Sequence, residues 1–126
     1  MRQQPRRFIR GPTQSKHMQK VNLSHVFPAL TEPWAPITVA HCNGSDVMVA
    51  KGQGSYPWHR HEHTDDFFLV LQGTLVIEMR ETSVTLGPGE MFVVPKGVEH
   101  RPVAENDTFF VLIEPPNTKD TGTTLV

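Results

Sequence analysis

From residue 37 onward the chain alternates short apolar-rich runs with turn-forming residues. Residues 37–41, 47–51, 56–61, 67–72, 75–80, 83–86, 91–94, 101–104 and 108–113 read as strands. The breaks between them are Asn43-Gly44-Ser45, Gly52-Gln53-Gly54, Gln72-Gly73, Gly87-Pro88-Gly89, Pro95-Lys96-Gly97 and Glu105-Asn106-Asp107. Gly, Pro, Asn and Asp punctuate a chain because they accept or impose the dihedrals that turns need. Short strands at this even spacing predict an all-β sandwich or barrel. In residues 75–80, Leu75, Ile77 and Met79 alternate with Val76, Glu78 and Arg80, the period of a half-buried strand. Phe67–Leu71 is apolar at every position, so both of its faces need cover. The barrel interior takes one face, and a second sheet or a partner subunit takes the other.

Helical spacing is confined to residues 22–30, where Leu23, Val26, Phe27 and Leu30 recur at i, i+3, i+4 and i+7 behind the N-cap candidate Asn22. Pro28 removes a backbone donor inside this pattern, which limits the helix to one or two turns. Its expected task is to plug one end of the barrel. Residues 1–17 carry Arg2, Arg6, Arg7, Arg10 and Lys16 without an acidic residue. The chain therefore reads as a flexible basic arm over residues 1–19 and a single domain over residues 20–126.

Composition narrows the function classes. With 12 Lys+Arg against 13 Asp+Glu, the chain offers no strong field for a phosphate backbone or an anionic membrane, so no nucleic-acid partner is expected. The longest apolar run, Phe67–Leu71, is too short to span a bilayer, and the first residues lack the apolar core of a secretory signal. Cys42 is the lone cysteine, so an internal disulfide is excluded and a cytoplasmic location is expected.

The chemistry concentrates in histidines. His59 and His61 stand at i and i+2 of a strand, so both imidazoles project to one face and can reach one ion. Carboxylates follow at Asp65 and Asp66, and His100 lies beyond the turn Pro95-Lys96-Gly97. Three imidazoles and a carboxylate suit iron, manganese, zinc, nickel or copper and leave positions open for a ligand. His17, His25 and His41 have no such partners, and Cys42 reads as a small buried hydrophobe.

The spacing Gly54…His59-Arg60-His61-x4-Asp66-x6-Gly73 resembles the first signature motif of the cupin superfamily, G-x5-H-x-H-x(3–4)-E-x6-G. Gly89-x5-Pro95-Lys96-Gly97-x2-His100-x3-Ala104 resembles the second, G-x5-P-x-G-x2-H-x3-N. The flanking Tyr56-Pro57-Trp58-His59, the run Gly89–Pro95 and Ile113-Glu114-Pro115 are similar to small single-domain cupins, and the likeness extends over roughly residues 20–122. It implies a double-stranded β-helix (jelly-roll) barrel binding one divalent metal ion through His59, His61, Asp66 and His100. The sequence departs from the motifs by a four-residue gap between Gly54 and His59, by Ala104 for asparagine and by Asp66 for glutamate. Asp66 is shorter by one methylene, about 1.5 Å of reach against a metal–oxygen bond of about 2.0–2.2 Å. Three alternatives stand open: direct ligation after a small backbone shift, ligation through a water, or none. Counting back from Gly73 selects Asp66 over Asp65, which reads as a loop carboxylate. His63 is either a substitute ligand or a loop residue at the barrel mouth.

Strand alternation from Asp66 places Phe68, Val70 and Gln72 toward the lumen and Phe67, Leu69 and Leu71 away from it. Trp58 should face away from His59, and Lys51 and Arg101 are candidate charges near the site. The resemblance implies dioxygenases, isomerases and lyases, all acting on small molecules. The competing reading is a metabolite-binding or metal-storing module without turnover. His63 and Tyr56 are the available acid/base candidates. Single-domain cupins commonly pair through their sheets, so a homodimer is expected.

Overall fold

The computed structural model describes residues 7–8, 18–116 and 123–126. The basic arm therefore lies outside the described residues except at residues 18–19 and at Arg7–Phe8 (β1), whose backbone pairs in parallel with Ile37 and Thr38. Strands follow at Ile37–Cys42 (β2), Ser45–Ser55 (β3), His59–His61 (β4), Asp66–Gln72 (β5), Leu75–Met79 (β6), Ser83–Leu86 (β7), Met91–Val94 (β8), His100–Glu114 (β9) and Thr123–Leu125 (β10). They curl into a β-barrel organised around β9, which pairs with β3, β4, β5 and β6.

Two expected turns are absorbed into long strands. Gly52-Gln53-Gly54 lies within β3, and Glu105-Asn106-Asp107 lies within β9. Gly52 pairs with Thr108 and Gly54 with Ala104, so Gln53 stands opposite residues 105–107. This bulge lets β9 change partner, from β6 along His100–Ala104 to β5 along Phe109–Val111. Gly73 makes the crossing possible. Its φ is +86°, and a Cβ there would stand 2.8 Å from the Thr108 Cα. The hydroxyl of Thr108 fastens the same corner, donating to the Thr74 carbonyl at 3.1 Å and accepting from its N–H at 3.2 Å.

Alternation along the strands builds two separate cores. Ala50, Phe68, Val70, Leu75, Ile77, Val94 and Phe110 fill the barrel interior. On the outer face of the sheet, Ile37, Val39, Val49 and Phe109 pack beneath a 3-10 helix, Leu23–Ala29, through its Val26 and the following Leu30. Asn22 caps that helix by accepting from Ser24 N–H at 3.1 Å, and Phe27 stacks on Phe109 with ring centroids 4.0 Å apart. The helix thus does not plug the barrel: its apolar stripe covers the outside of the sheet, next to Leu71.

Phe67, Leu69 and Leu71 point outward and are half-buried, while Phe68 and Val70 are buried inside. Gln72 breaks the expected alternation. A bulge between Val70 and Gln72 turns its side chain to the surface, where it donates to the Asp107 carbonyl at 3.3 Å. Cys42 is exposed rather than buried, because it ends β2 beside the Asn43-Gly44 turn.

Candidate metal centre

Three elements converge at one end of the barrel interior. His59 and His61 come from β4, Asp66 from the first position of β5 and His100 from the first position of β9. His59 sits directly across the ladder from His100. The loop Pro95-Lys96-Gly97 that delivers His100 is pinned to the His61–Asp66 connection at two points. Gly97 N–H donates to the His61 carbonyl at 2.7 Å, and Lys96 N–H donates to Asp65 Oδ1 at 2.9 Å. Asp65 is therefore the loop carboxylate expected, and it holds the two motifs together.

Each imidazole is held through Nδ1. His59 Nδ1 donates to the Pro57 carbonyl at 2.9 Å and His100 Nδ1 to the Val98 carbonyl at 2.8 Å. A carbonyl can only accept, so both rings carry their proton on Nδ1 and turn Nε2 toward the centre. His61 Nδ1 meets the hydroxyl of Thr123 at 3.0 Å. Asp66 Oδ2 lies 3.1 Å from His61 Nε2 and 2.9 Å from His100 Nε2, so its shorter arm does reach the cluster.

The ligand atoms of His59, His61, Asp66 and His100 all lie within 4.8 Å of one another. Bonds of about 2.0–2.2 Å to one ion place adjacent ligand atoms about 3 Å apart and opposite ones about 4.2 Å apart. The set could hold one metal ion after slight contraction. His63 is exposed and stands outside this group.

Electrostatics suit a cation. Burial lowers His59 to about 4, which keeps it a neutral donor at physiological pH. Burial pushes the Asp66 carboxyl up, but hydrogen bonds and charge from His100 and His61 hold it well below the usual carboxylate range. Burial also lowers His61, yet its hydrogen bond to Asp66 and the charges of Asp66 and Glu114 outweigh that and raise it. In the contacts to Asp66 a proton stands where a metal ion would, so metal binding displaces protons.

His59, His61 and Asp66 form part of the wall of a pocket that opens to solvent. Trp34, Tyr56, Phe68, Phe110 and Leu112 are among its apolar lining, and Glu114 and Thr123 add polar groups. Trp34 has φ 62°, unusual for a bulky residue, and is held there by its N–H on the Lys51 carbonyl (2.8 Å) and its Nε1–H on the Gln53 carbonyl (3.2 Å). Burial, followed by the charges of Asp66 and Glu114, raises the Tyr56 hydroxyl, which stays a donor at neutral pH.

Trp34, Glu114 and Thr123 carry no sequence signal of a site; strand pairing brings Glu114 and Thr123 to it, and hydrogen bonds to the Lys51 and Gln53 carbonyls hold Trp34 there. Lys51 and Arg101 are not among the residues that line the pocket. Arg101 instead pairs with Glu78 at 2.7 Å and, with Arg80, covers the ring of Trp58. The expected strand 56–61 shortens to His59–His61, since Pro57 has no N–H to give a ladder and contributes its carbonyl to His59.

A protein from Shewanella frigidimarina with a cupin-2 domain superposes with a TM-score of 0.72 at 39% identity, covering 75% of this chain and 93% of that one. The Bacillus subtilis protein YdbB is 34% identical over 82 residues, 64% of this chain and 72% of its own length. The 3-hydroxyanthranilate 3,4-dioxygenase of Neosartorya fischeri is 28% identical over 102 residues, which are 75% of this chain and 51% of the dioxygenase. This chain thus matches about half of that enzyme's length. The model of the cupin domain matches residues 45–114, more than half of the chain and both histidine motifs. The chain belongs to the cupin family.

Proposed function

We propose that this protein is a mononuclear metal-dependent enzyme acting on a small ring-bearing substrate, with ring oxygenation as the favoured chemistry. The observation that carries the reading is the placement of His59, His61 and Asp66 in the wall of an open, aromatic-lined pocket. A structural metal site would be closed off by protein ligands, whereas this one meets a space where a second molecule fits. The similarity to a 3-hydroxyanthranilate 3,4-dioxygenase supports the choice of reaction class.

Iron bound by three histidines and a carboxylate would supply oxygen activation, and zinc, nickel or manganese would supply Lewis-acid polarisation. The chain's own residues hold and orient the substrate. Trp34, Phe68 and Phe110 line the pocket with aromatic surface that suits a planar ring and excludes water from it. Tyr56 lies in the wall, T-shaped against His59 with ring centroids 5.1 Å apart, and its hydroxyl is a donor available to a substrate. The Pro57 and Val98 carbonyls fix the rings of His59 and His100 through Nδ1, so that Nε2 of each faces the centre.

The test is oxygen consumption by protein loaded with ferrous iron, offered a panel of small hydroxylated aromatics. Substrate-dependent uptake that disappears in His100→Ala supports the reading. Binding of an aromatic with no uptake under any metal would instead support a metabolite-binding module.

Assembly belongs to the same proposal. Met91, Val93 and Ile113 are 52%, 38% and 38% exposed on the outer face, beside the half-buried Phe67 and Leu69. A homodimer burying on the order of 1,600 Å² in total would cover this strip. Light scattering at micromolar concentration checks it, and a mass near 14.2 kDa would reject it. The lone, exposed Cys42 fits a reducing, cytoplasmic compartment. Among the described residues no helix is long and apolar enough to cross a membrane.

A further inference from the structure

The three imidazoles are not held alike. His59 and His100 each donate to a backbone carbonyl two residues earlier, so the chain leading into each strand fixes them. His61 depends on a side chain distant in sequence, the hydroxyl of Thr123 at 3.0 Å from its Nδ1. Thr123 pairs with His61 itself in the antiparallel ladder between β10 and β4, and it also lines the pocket. β10 is also fastened where Thr124 Oγ1–H donates to Glu62 Oε2 at 2.9 Å and Val126 N–H donates to the Trp58 carbonyl at 3.1 Å. Ladder pairing of β10 is confined to three residues of β4.

We infer that Thr123 is a positioning residue for His61, and that docking of β10 onto β4 decides whether the third imidazole joins the metal ligands. The inference rests on the metal-centre reading above. A ligand ring turns about two side-chain bonds and must be fixed by its second nitrogen if Nε2 is to face the ion. For His59 and His100 that partner is rigid and always present. For His61 it arrives only when β10 is paired. A hydroxyl, unlike a carbonyl, can donate or accept, so Thr123 holds His61 whether or not Nδ1 carries a proton. Undocking of β10 leaves His59, Asp66 and His100 in place and removes one ligand's support, so the strand grades affinity rather than creating the site.

The test is metal affinity of the full chain, measured by competition with a chelator. Thr123→Val keeps the shape and the β-branching but loses the hydroxyl, and is expected to bind metal about 10–100-fold more weakly. Thr123→Ser, which keeps the hydroxyl, is expected to stay within about threefold of the parent, a rescue that a packing role would not produce. His61→Ala combined with Thr123→Val should bind no more weakly than His61→Ala alone, because the threonine acts through that ring. Equal affinity of Thr123→Val and parent would overturn the inference while leaving the metal centre intact. A parent protein that binds no metal would overturn both.

Discussion

The two faces of β5 separate chemistry from packing. Asp66, Phe68 and Val70 turn inward, where the first is a candidate ligand and the others fill the barrel core. Phe67, Leu69 and Leu71 turn outward, where the 3-10 helix covers the region of Leu71 and leaves Met91 and Val93 exposed beyond Phe67 and Leu69. The four clustered ligand candidates belong to the interior side, and so does the pocket. One strand can serve both purposes because its side-chain period is two: changes on one face need not reach the other. The inner face is closed and demands shape, charge and hydrogen bonding together. The outer face demands only apolar area.

The largest break in this comparison should come from the barrel core. Phe110 is fully buried between Phe68 and Trp34, with centroids at 5.8 and 6.0 Å. Phe110→Ala is expected to cost about 3–5 kcal/mol in denaturant unfolding and to distort the pocket. On the outer face, Phe27→Ala loses a half-buried ring and its stack on Phe109 and should cost about 1–2 kcal/mol, with metal binding unchanged. Equal losses in the two variants would contradict the division.

Acidity sharpens the same contrast. In metal-free protein His59 is lowered from 6.5 to about 4, so the unfolded chain takes up its proton first as the pH falls. Stability is therefore lost between pH 6.5 and about 4, by up to about 3 kcal/mol. His61 is raised, so its contribution is full below pH 6.5 and fades as the pH rises through its folded value. These two groups together predict a stability maximum near pH 6.5 in urea titrations of metal-free protein. Phe27→Ala should lower that curve without moving its maximum, whereas His59→Phe should flatten the acid limb.

Asp66 gives a smaller effect with an informative sign. Its Oδ2 already stands 2.9 Å from His100 Nε2, within a fully buried setting. Asp66→Glu adds a methylene to a packed site and is expected to weaken metal binding about tenfold, an overpacking cost of about 1–3 kcal/mol. Tighter binding by the glutamate variant would mean that the carboxylate of the parent falls short of the ion. The smallest expected effect lies outside: Met91→Glu with Val93→Glu should leave unfolding free energy within about 0.5 kcal/mol per chain and abolish the proposed dimerisation.

Much of this division was legible in the sequence. Two histidines at i and i+2 announce a shared face, and the resemblance to the first cupin motif, counted back six residues from Gly73, picks Asp66 from its neighbour Asp65. The outward triplet Phe67, Leu69 and Leu71 follows from the same alternation. What escaped depends on pairing over long sequence distances. Residues 105–107 look like a turn because the sequence shows their composition and not the Gln53 bulge opposite them. Thr123-Thr124-Leu125 has too little apolar patterning to read as a strand, and its role comes from lying against His61, 62 positions earlier. The helix at Leu23–Ala29 was legible as a helix, but its destination was not, since an apolar stripe fits a barrel end or a sheet face equally well.

Metal content tests the central claim most directly. After removal of metal by chelator, reloading with a divalent ion and desalting, elemental analysis should find one ion per chain in the parent, in keeping with the single four-residue cluster among the described residues. His59→Ala and His100→Ala should each lose most of that ion while circular dichroism still reports a folded barrel. Unchanged metal content in both folded variants would contradict the account.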